Sequence, residues 1–178
     1  MNKKVASSPN SKREKISWIV SIIVAVVAAL FIRTCLFEIV MVDGASMEPT
    51  LQTGERVGIE KVTRYFQDFE YGQVVVVHYP SMEGNYVKRI MGLPGDKVQV
   101  TDSTVYRNNI PLEEDYINPL PYPDTEEFTV PEGHIFVMGD NRSNSLDSRM
   151  VGPIPFEDIV GHGIGIFWPL DKLGGIAD

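Results

Sequence analysis

Apolar residues follow two different patterns along this chain, and the change comes near residue 36. The first pattern is one continuous apolar run of 17 residues, Ile16–Ile32, without a charge or a proline. As a helix this run extends roughly 25 Å, slightly less than a bilayer core of about 30 Å. Thr34–Phe37 can add a turn, and Lys15 and Arg33 can reach the polar interface at the two ends. The run therefore predicts a membrane-spanning helix.

The apolar run fits a cleaved signal peptide or a buried core helix less well. A cleaved signal peptide has an apolar stretch of about 7–15 residues and then a small-x-small site, whereas this run is longer and continues into Phe31–Phe37. A buried core helix would not be apolar around its whole circumference with basic flanks on both sides. We therefore expect an uncleaved anchor at residues 16–35.

The positive-inside rule then orients the chain. Five basic residues precede the anchor, so we expect residues 1–15 to form a basic cytoplasmic tail and residues 36–178 to form an extracytoplasmic domain. The first eleven residues, rich in Ser and Asn, are predicted to be disordered.

Beyond residue 36 the apolar positions alternate or come in short β-branched runs, which is typical of strands. Residues 37–42 and 73–79 predict strands, the second buried on both faces. Asp102-Ser103 and Asn108-Asn109 suit hairpin turns, and residues 62–69 indicate a helical turn or two. The other predicted strands are 98–101, 104–107, 128–130, 134–138 and 164–168. This pattern predicts a mainly β domain of coiled antiparallel sheets that form a partly closed, barrel-like body.

Charge and composition exclude several kinds of function. Residues 1–33 hold six basic side chains and one acidic one, a net charge of +5, so the total of −8 leaves −13 on the remainder. An acidic body argues against a nucleic-acid partner, because phosphate binding requires a basic patch. The single cysteine, Cys35, excludes an internal disulfide and a cysteine-based zinc site. The three histidines match no metal motif, and we expect no metal or cofactor.

Ser46 is a candidate nucleophile. It follows a predicted strand and Gly44-Ala45, and small residues there let a substrate backbone come close to the hydroxyl. A serine hydroxyl needs an adjacent base to become a good nucleophile. Taken alone, this motif is better explained by a solvated serine in a turn, because serines are common in turns.

Lys88 is a candidate base. In an extended segment Tyr86, Lys88 and Ile90 share one face, so apolar neighbours would desolvate the ammonium and lower its pKa from about 10.4. The competing interpretation is a lysine that protects an edge strand from aggregation. The sequence alone leaves both open.

The segment Gly139–Arg149 is dominated by Gly, Asn, Asp and Ser and is predicted to be a loop. Within it Asp147 and Arg149 are placed to form an ion pair that fixes the loop. The hydroxyl of Ser145 suits the orientation of a lysine base better than a carboxylate, which would favour the charged form. Residues 113–127, rich in Pro, Asp and Glu, predict an exposed loop.

These pieces, in this order, resemble those of bacterial type I signal peptidases, especially the shorter Gram-positive kind. The matching residues are the apolar anchor, Ser46-Met47-x-Pro49-Thr50, Tyr86-Val87-Lys88-Arg89, Gly92-Leu93-Pro94-Gly95-Asp96, Gly139-Asp140-Asn141-Arg142-Ser143-Asn144-Ser145-x-Asp147-Ser148-Arg149, Val160-Gly161 and Trp168-Pro169. Each piece is weak by itself, whereas the ordered set is specific and spans nearly the whole chain.

The resemblance implies a membrane-bound serine endopeptidase that cuts signal peptides from secreted pre-proteins after small-x-small sites, without a metal or cofactor. It implies that Ser46 is the nucleophile, that Lys88 is the general base and that Ser145 orients the lysine. Structural ion pairs are implied for Asp147 with Arg149 and for Arg89 with Asp140.

The resemblance also makes the backbone N–H of Ser46 an oxyanion-hole donor. Some relatives supply a second donor from a serine two residues earlier, where this chain has Gly44. They also insert a large extra domain that this chain lacks.

Three different functions fit part of the pattern. A Ser/Lys autoprotease of the SOS-repressor type shares the dyad, but it carries a DNA-binding head in place of an anchor. A catalytically inactive relative could assist the assembly of exported subunits. The presence of both Ser46 and Lys88 argues against this function. A membrane-tethered binding module would use the strands only as a scaffold.

Overall fold

The computed structural model describes residues 11–80, 82–118 and 120–176, and the chain divides into two units at Leu36/Phe37. The first unit is helix α1, Ser11–Phe31, followed by a π-helical turn, Ile32–Leu36. Among the described residues it is the one helix that is long and apolar enough to cross a membrane, over Arg13–Leu36. The hydroxyl of Ser21 donates to the Ser17 carbonyl at 2.9 Å, so its hydrogen-bonding capacity is satisfied within the helix.

The helix begins earlier than the apolar run that predicts it, because it also includes residues 11–15, most of which are charged. Charged side chains are compatible with a helix in water, so the hydropathy pattern does not mark this end. The predicted disorder of residues 1–11 lies outside the described residues, except for Ser11.

The second unit is built from antiparallel strands. Its strands are β1 Phe37–Met41, β2 Arg56–Glu60, β3 Val74–His78, β4 Asn85–Gly92, β5 Lys97–Thr101, β6 Thr104–Arg107, β7 Ile110–Pro111, β8 Phe128–Thr129, β9 His134–Met138, β10 Ile154–Pro155 and β11 Ile159–Trp168. Two single α-helical turns, α2 Thr63–Phe66 and α3 Ser148–Val151, and two 3-10 turns, Phe156–Asp158 and Leu170–Lys172, complete it.

Seven strands form one sheet in the order β1-β2-β11-β3-β4-β9-β10, and four form a second in the order β7-β6-β5-β8. The larger sheet curls into a half-barrel, which confirms the predicted mainly β class with curved antiparallel sheets. Strand β3 is central, and its four valines are all buried, as the unbroken apolar run predicts. Both predicted hairpins form, with positive φ at Asp102-Ser103 and at Asn108-Asn109, as a type I′ turn requires.

The sequence-based prediction misses β2, the first half of β11, the turn α3 and the two-residue strands β7 and β10. None of these elements has a continuous apolar pattern. Strand β2 has a glycine at its centre and a charge at each end. Strand β11 begins five residues earlier than predicted because Gly161 and Gly163 interrupt the pattern. Glycine is required at Gly161, since a Cβ there would collide with the Glu60 backbone. The turn α3 forms inside the predicted loop because the Asp147 side chain caps it.

Candidate active site

Ser46 lies on the turn that follows β1. Met47 and Leu51, which are 1% and 0% exposed, pack this turn against the core. The Leu51 N–H also donates a hydrogen bond to the Met47 carbonyl at 2.9 Å. Gly44 has a φ of +99°, a conformation that glycine adopts without strain. The turn therefore holds the half-buried Ser46 in a fixed position.

Lys88 lies on β4, opposite Val75 of β3, and is 1% exposed. Its Nζ donates to Ser46 Oγ at 2.7 Å and to the Val87 carbonyl at 3.0 Å. The ring of Tyr86 lies 5.9 Å from the same nitrogen. The serine and the lysine, which are 42 positions apart in the chain, are thus in direct hydrogen-bond contact, the arrangement that proton transfer requires.

Burial lowers the pKa of Lys88 from 10.5 to about 8. The negative charges of Asp147 and Asp140 oppose this shift, and the positive charge of Arg149 adds to it. Desolvation outweighs the two carboxylates, so a sizeable fraction of the lysine is neutral in weakly alkaline solution. A neutral amine is the form that can accept a proton from Ser46.

The loop after β9 is bonded directly to the turn that carries Ser46. The backbone N–H of Asn141 donates to the Ser46 carbonyl at 3.0 Å, and its side-chain Nδ2 donates to the Ala45 carbonyl at 3.0 Å. Gly139 packs so closely that an added Cβ would collide with the Ser46 carbonyl and with Ser145 Oγ. The loop and the turn are therefore one packed unit.

A buried ion pair connects three chain segments at the site. Arg89 Nε and Nη2 donate to the two carboxylate oxygens of Asp140 at 3.0 and 2.9 Å, and both side chains are fully buried. Thr50 Oγ1 donates to Asp140 Oδ2 at 2.5 Å. Strand β4, the turn after β1 and the loop after β9 thereby meet at one carboxylate.

Asp147 and Arg149 form the second ion pair, with Nε and Nη2 each 2.8 Å from a carboxylate oxygen. Asp147 is fully buried and also accepts the Gly139 N–H at 3.0 Å. One carboxylate thus closes the loop on itself and caps α3. The structure thus pairs the four residues for which the resemblance implies structural ion pairs, Arg89 with Asp140 and Asp147 with Arg149.

Ser145 differs from its predicted arrangement. Its Oγ is buried and, within the part of the chain that the structure describes, accepts and donates no hydrogen bond. It lies against Gly139, while Lys88 Nζ bonds to Ser46 and Val87. The hydroxyl is next to the dyad without being bonded to the lysine, and its orienting role stays a prediction.

The backbone N–H of Ser46 has no acceptor among the described residues, so it is available to an incoming oxyanion. The space where a side chain at position 44 would project is open, with no atom within 4 Å of a Cβ built there. The second donor that some relatives supply from this position has no side-chain equivalent here.

A groove of about 460 Å³ opens beside Ser46. Two strand edges border it. One is β1, the outermost strand of the larger sheet. The other is formed by residues 85–88 of β4, which pair with β3 on one side only, because the pairing of β4 with β9 begins at Arg89. Its lining includes Val40, Val42, Gly44, Ser46, Met47, Val76, Tyr86 and Val87. An extended peptide can hydrogen-bond to such edges while its side chains enter apolar depressions.

Asn141 and Thr50 contact the site directly, although the sequence predicts no role for either. Neither carries a charge or a periodic signal, and their partners lie 90 or more positions away in the chain. The only signal of them in the sequence is that both belong to motifs of the family resemblance, Ser46–Thr50 and Gly139–Arg149.

The described residues contain no cluster of three or more potential metal ligands. His78 and His134 bond through Nδ1 to the Gly84 and Glu132 carbonyls, and His162 lies 3.8 Å from Glu60. The expectation of no metal or cofactor stays a prediction.

Comparisons with known proteins agree on one family. The model of the family "signal peptidase, peptidase S26" matches residues 15–168. The signal peptidase I of Bacillus licheniformis is 40% identical over 177 residues, covering 93% of this chain and 95% of that protein. The signal peptidase I T of Bacillus subtilis (strain 168) is 38% identical, covering 89% and 88%. A crystal structure of a signal peptidase I from Enterococcus faecalis V583 aligns with a TM-score of 0.48 and 30% identity, covering 53% of this chain and 95% of that one.

Proposed function

This chain belongs to the signal peptidase family, peptidase S26, and we propose that it removes signal peptides from exported pre-proteins with Ser46 as nucleophile and Lys88 as general base. The observation that carries the proposal is the 2.7 Å hydrogen bond between Lys88 Nζ and Ser46 Oγ, made by a lysine that burial keeps partly neutral. A fixed serine beside a neutral amine can perform acyl transfer without a metal.

The substrate binds in the groove as an added strand. Its backbone pairs with the open edges of β1 and of residues 85–88. The apolar side chains of Val40, Val76 and Val87 line shallow depressions that accept small side chains one and three residues before the cut. This is the small-x-small pattern of signal-peptide cleavage sites.

Acylation begins when neutral Lys88 takes the proton of Ser46 Oγ and the oxygen attacks the scissile carbonyl carbon. The backbone N–H of Ser46 stabilises the oxyanion. The C–N bond then breaks, the Lys88 ammonium returns its proton to the leaving amine, and an ester to Ser46 remains.

Deacylation repeats the same proton transfers with water. Neutral Lys88 removes a proton from the attacking water, the ester C–O bond breaks, and the ammonium returns the proton to Ser46 Oγ. The enzyme is regenerated without a cofactor.

The family and the membrane-capable helix are consistent with a single-pass membrane protein. The bilayer is then a partner of residues 16–35. The basic residues before the helix support a cytoplasmic N-terminus with the β unit on the extracytoplasmic side of the cell membrane. Protease added to intact spheroplasts should remove the β unit and leave an N-terminal tag protected.

The dyad is tested with the full-length protein in detergent micelles and a pre-protein that carries an Ala-x-Ala site. Ser46→Ala and Lys88→Arg should each lower cleavage by about a thousandfold or more, because arginine stays protonated. Lys97→Arg is the matched control, since Lys97 is exposed and distant from the groove lining. New N-termini are identified by mass spectrometry. Undiminished cleavage by Ser46→Ala would refute the dyad, whereas absence of cleavage by the parent protein would favour a binding module.

A further inference from the structure

The segment between β7 and β8 is not the purely exposed loop that its composition predicts. Residues 113–127 contain no strand or helix in their described part, yet the Glu114 side chain is 6% exposed and Tyr122 is also 6% exposed. Tyr116 turns inward as well, and burial strongly raises its pKa. Three side chains of this polar segment therefore point towards the body of the β unit.

Glu114 forms a buried ion pair with Arg142 of the loop after β9. The guanidinium Nη2 and Nη1 donate to the two carboxylate oxygens at 2.6 and 3.0 Å, and the Arg142 side chain is 1% exposed. Tyr116 donates its hydroxyl to Glu114 Oε1 at 3.0 Å. Burial lowers the pKa of Arg142, but the charge and hydrogen bonds of Glu114 outweigh it and raise that pKa above its ordinary value.

The third guanidinium nitrogen connects this pair to the site. Arg142 Nε donates to the Gly139 carbonyl at 3.0 Å. Gly139 is the residue whose backbone packs against both the Ser46 carbonyl and Ser145 Oγ, and its N–H is held by Asp147. The carbonyl and the N–H of Gly139 are thus fixed by two different charged side chains.

The same segment also contacts the strand that carries the base. The Tyr116 ring lies 4.0 Å from the guanidinium carbon of Arg89, the residue after Lys88. Arg142 Nη2 approaches Met91 Sδ of β4 at 3.7 Å. Glu114 and Tyr116 therefore pack against the side of the site formed by Arg89, Met91 and Arg142.

Resting on the dyad proposed above, we propose that Glu114 is a positioning residue of the peptidase. By holding Arg142 it fixes the Gly139 carbonyl, and through Gly139 it sets the position of Ser46 against Lys88. Glu114 touches neither the substrate groove nor the dyad, so its effect is on the rate of the chemical steps and not on substrate binding.

A purely structural ion pair is the competing interpretation, and one double variant separates the two. Breaking a buried pair by removing one partner leaves an uncompensated charge, whereas replacing both partners by apolar residues of similar volume is often neutral or stabilising. Glu114→Leu with Arg142→Met should therefore fold, yet it lacks the Nε bond to Gly139. The matched control is Lys97→Met with Glu127→Leu, which removes the exposed ion pair of the same segment.

The experiment measures kcat and KM separately on the full-length enzymes in micelles, with the melting temperature of each. We expect the Glu114/Arg142 double variant and Glu114→Gln to lose about 10- to 100-fold in kcat, as misplacement of reacting groups does. KM should stay within about threefold of the parent value, because the groove lining is unchanged. The Lys97/Glu127 control should retain both constants.

A kcat within about twofold of the parent in both Glu114 variants, with or without a lower melting temperature, would overturn the positioning role. Glu114→Gln decides alone if the double variant fails to fold, because it keeps the side-chain volume and one acceptor. Ser46→Ala is run in parallel, and its failure to abolish cleavage would refute the dyad itself, a result that the Glu114 variants cannot produce.

Discussion

Lys88 Nζ lies 2.7 Å from Ser46 Oγ at the junction of a buried strand and a tight turn. The hydrogen bond reverses direction with the charge of the lysine. A protonated Lys88 donates to the serine, whereas a neutral Lys88 can accept the serine proton. In the proposed mechanism, the same contact is therefore inactive or active according to one proton.

Activity should consequently follow the deprotonation of Lys88. We expect kcat/KM to rise with pH through a midpoint near 8, the value to which burial lowers the pKa of Lys88, and to fall about tenfold per pH unit well below it. The measurement is peptide cleavage by the full-length enzyme across this range. A profile that is flat between about pH 6 and pH 9 would contradict a lysine base.

Removal of the base should stabilise the protein. The folded-state pKa of Lys88 is lowered from 10.5 to about 8, so burial of its charge costs up to about 3 kcal/mol. This cost is fully present below pH 8 and disappears as pH rises to the unfolded value. Lys88→Met should therefore unfold at a higher urea concentration than the parent at pH 7, with a difference that narrows towards about pH 10.5. A variant that is less stable at pH 7 would show that the hydrogen bonds of Lys88 outweigh its desolvation.

The sequence predicts the elements whose side chains carry a periodic or charged signal. The unbroken valines of β3 and the positive-φ dipeptides of two hairpins determine local structure by themselves. Strand β2 and the first half of β11 depend instead on glycines that allow strands to approach closely, as Gly161 does at Glu60. That requirement comes from the partner strand, which a local pattern cannot contain.

The site shows the same division. The sequence identifies Ser46, Lys88 and the charged residues of the loop after β9, because their reactive or charged side chains lie in motifs that occur in a recognisable order. Asn141, Thr50 and Glu114 act through contacts with residues 28 to 96 positions away. The composition around Glu114 predicts an exposed acidic segment, and the burial of its side chain follows only from the position of Arg142.

Gly139 should not tolerate a side chain. A Cβ there would collide with Ser145 Oγ and with the backbone carbonyl of Ser46, and the backbone cannot move aside as a flexible side chain can. We expect Gly139→Ala to fold with reduced stability and to lose about 100-fold or more in kcat. Gly175→Ala is the control, because no atom lies within 4 Å of a Cβ at that position. Equal activity of the two variants would show that the loop can shift without disturbing the dyad.

Asn141 offers a test of how the turn is held, because an isosteric change removes one hydrogen bond and leaves the other in place. Its Nδ2 donates to the Ala45 carbonyl, while its backbone N–H donates to the Ser46 carbonyl. Asn141→Asp keeps the backbone bond and the shape of the side chain, but it places a carboxylate oxygen against the Ala45 carbonyl. The repulsion should push the turn away from the loop and lower kcat by about 10- to 100-fold.

The added charge also makes a second prediction for the same variant. A carboxylate near Lys88 favours its ammonium form, so the midpoint of the pH profile should move above that of the parent. Asn144→Asp is the control, because this substitution adds the same charge to the same loop at an exposed residue. If Asn141→Asp and Asn144→Asp give the same kcat and the same midpoint, the side-chain bond to Ala45 does not position the nucleophile.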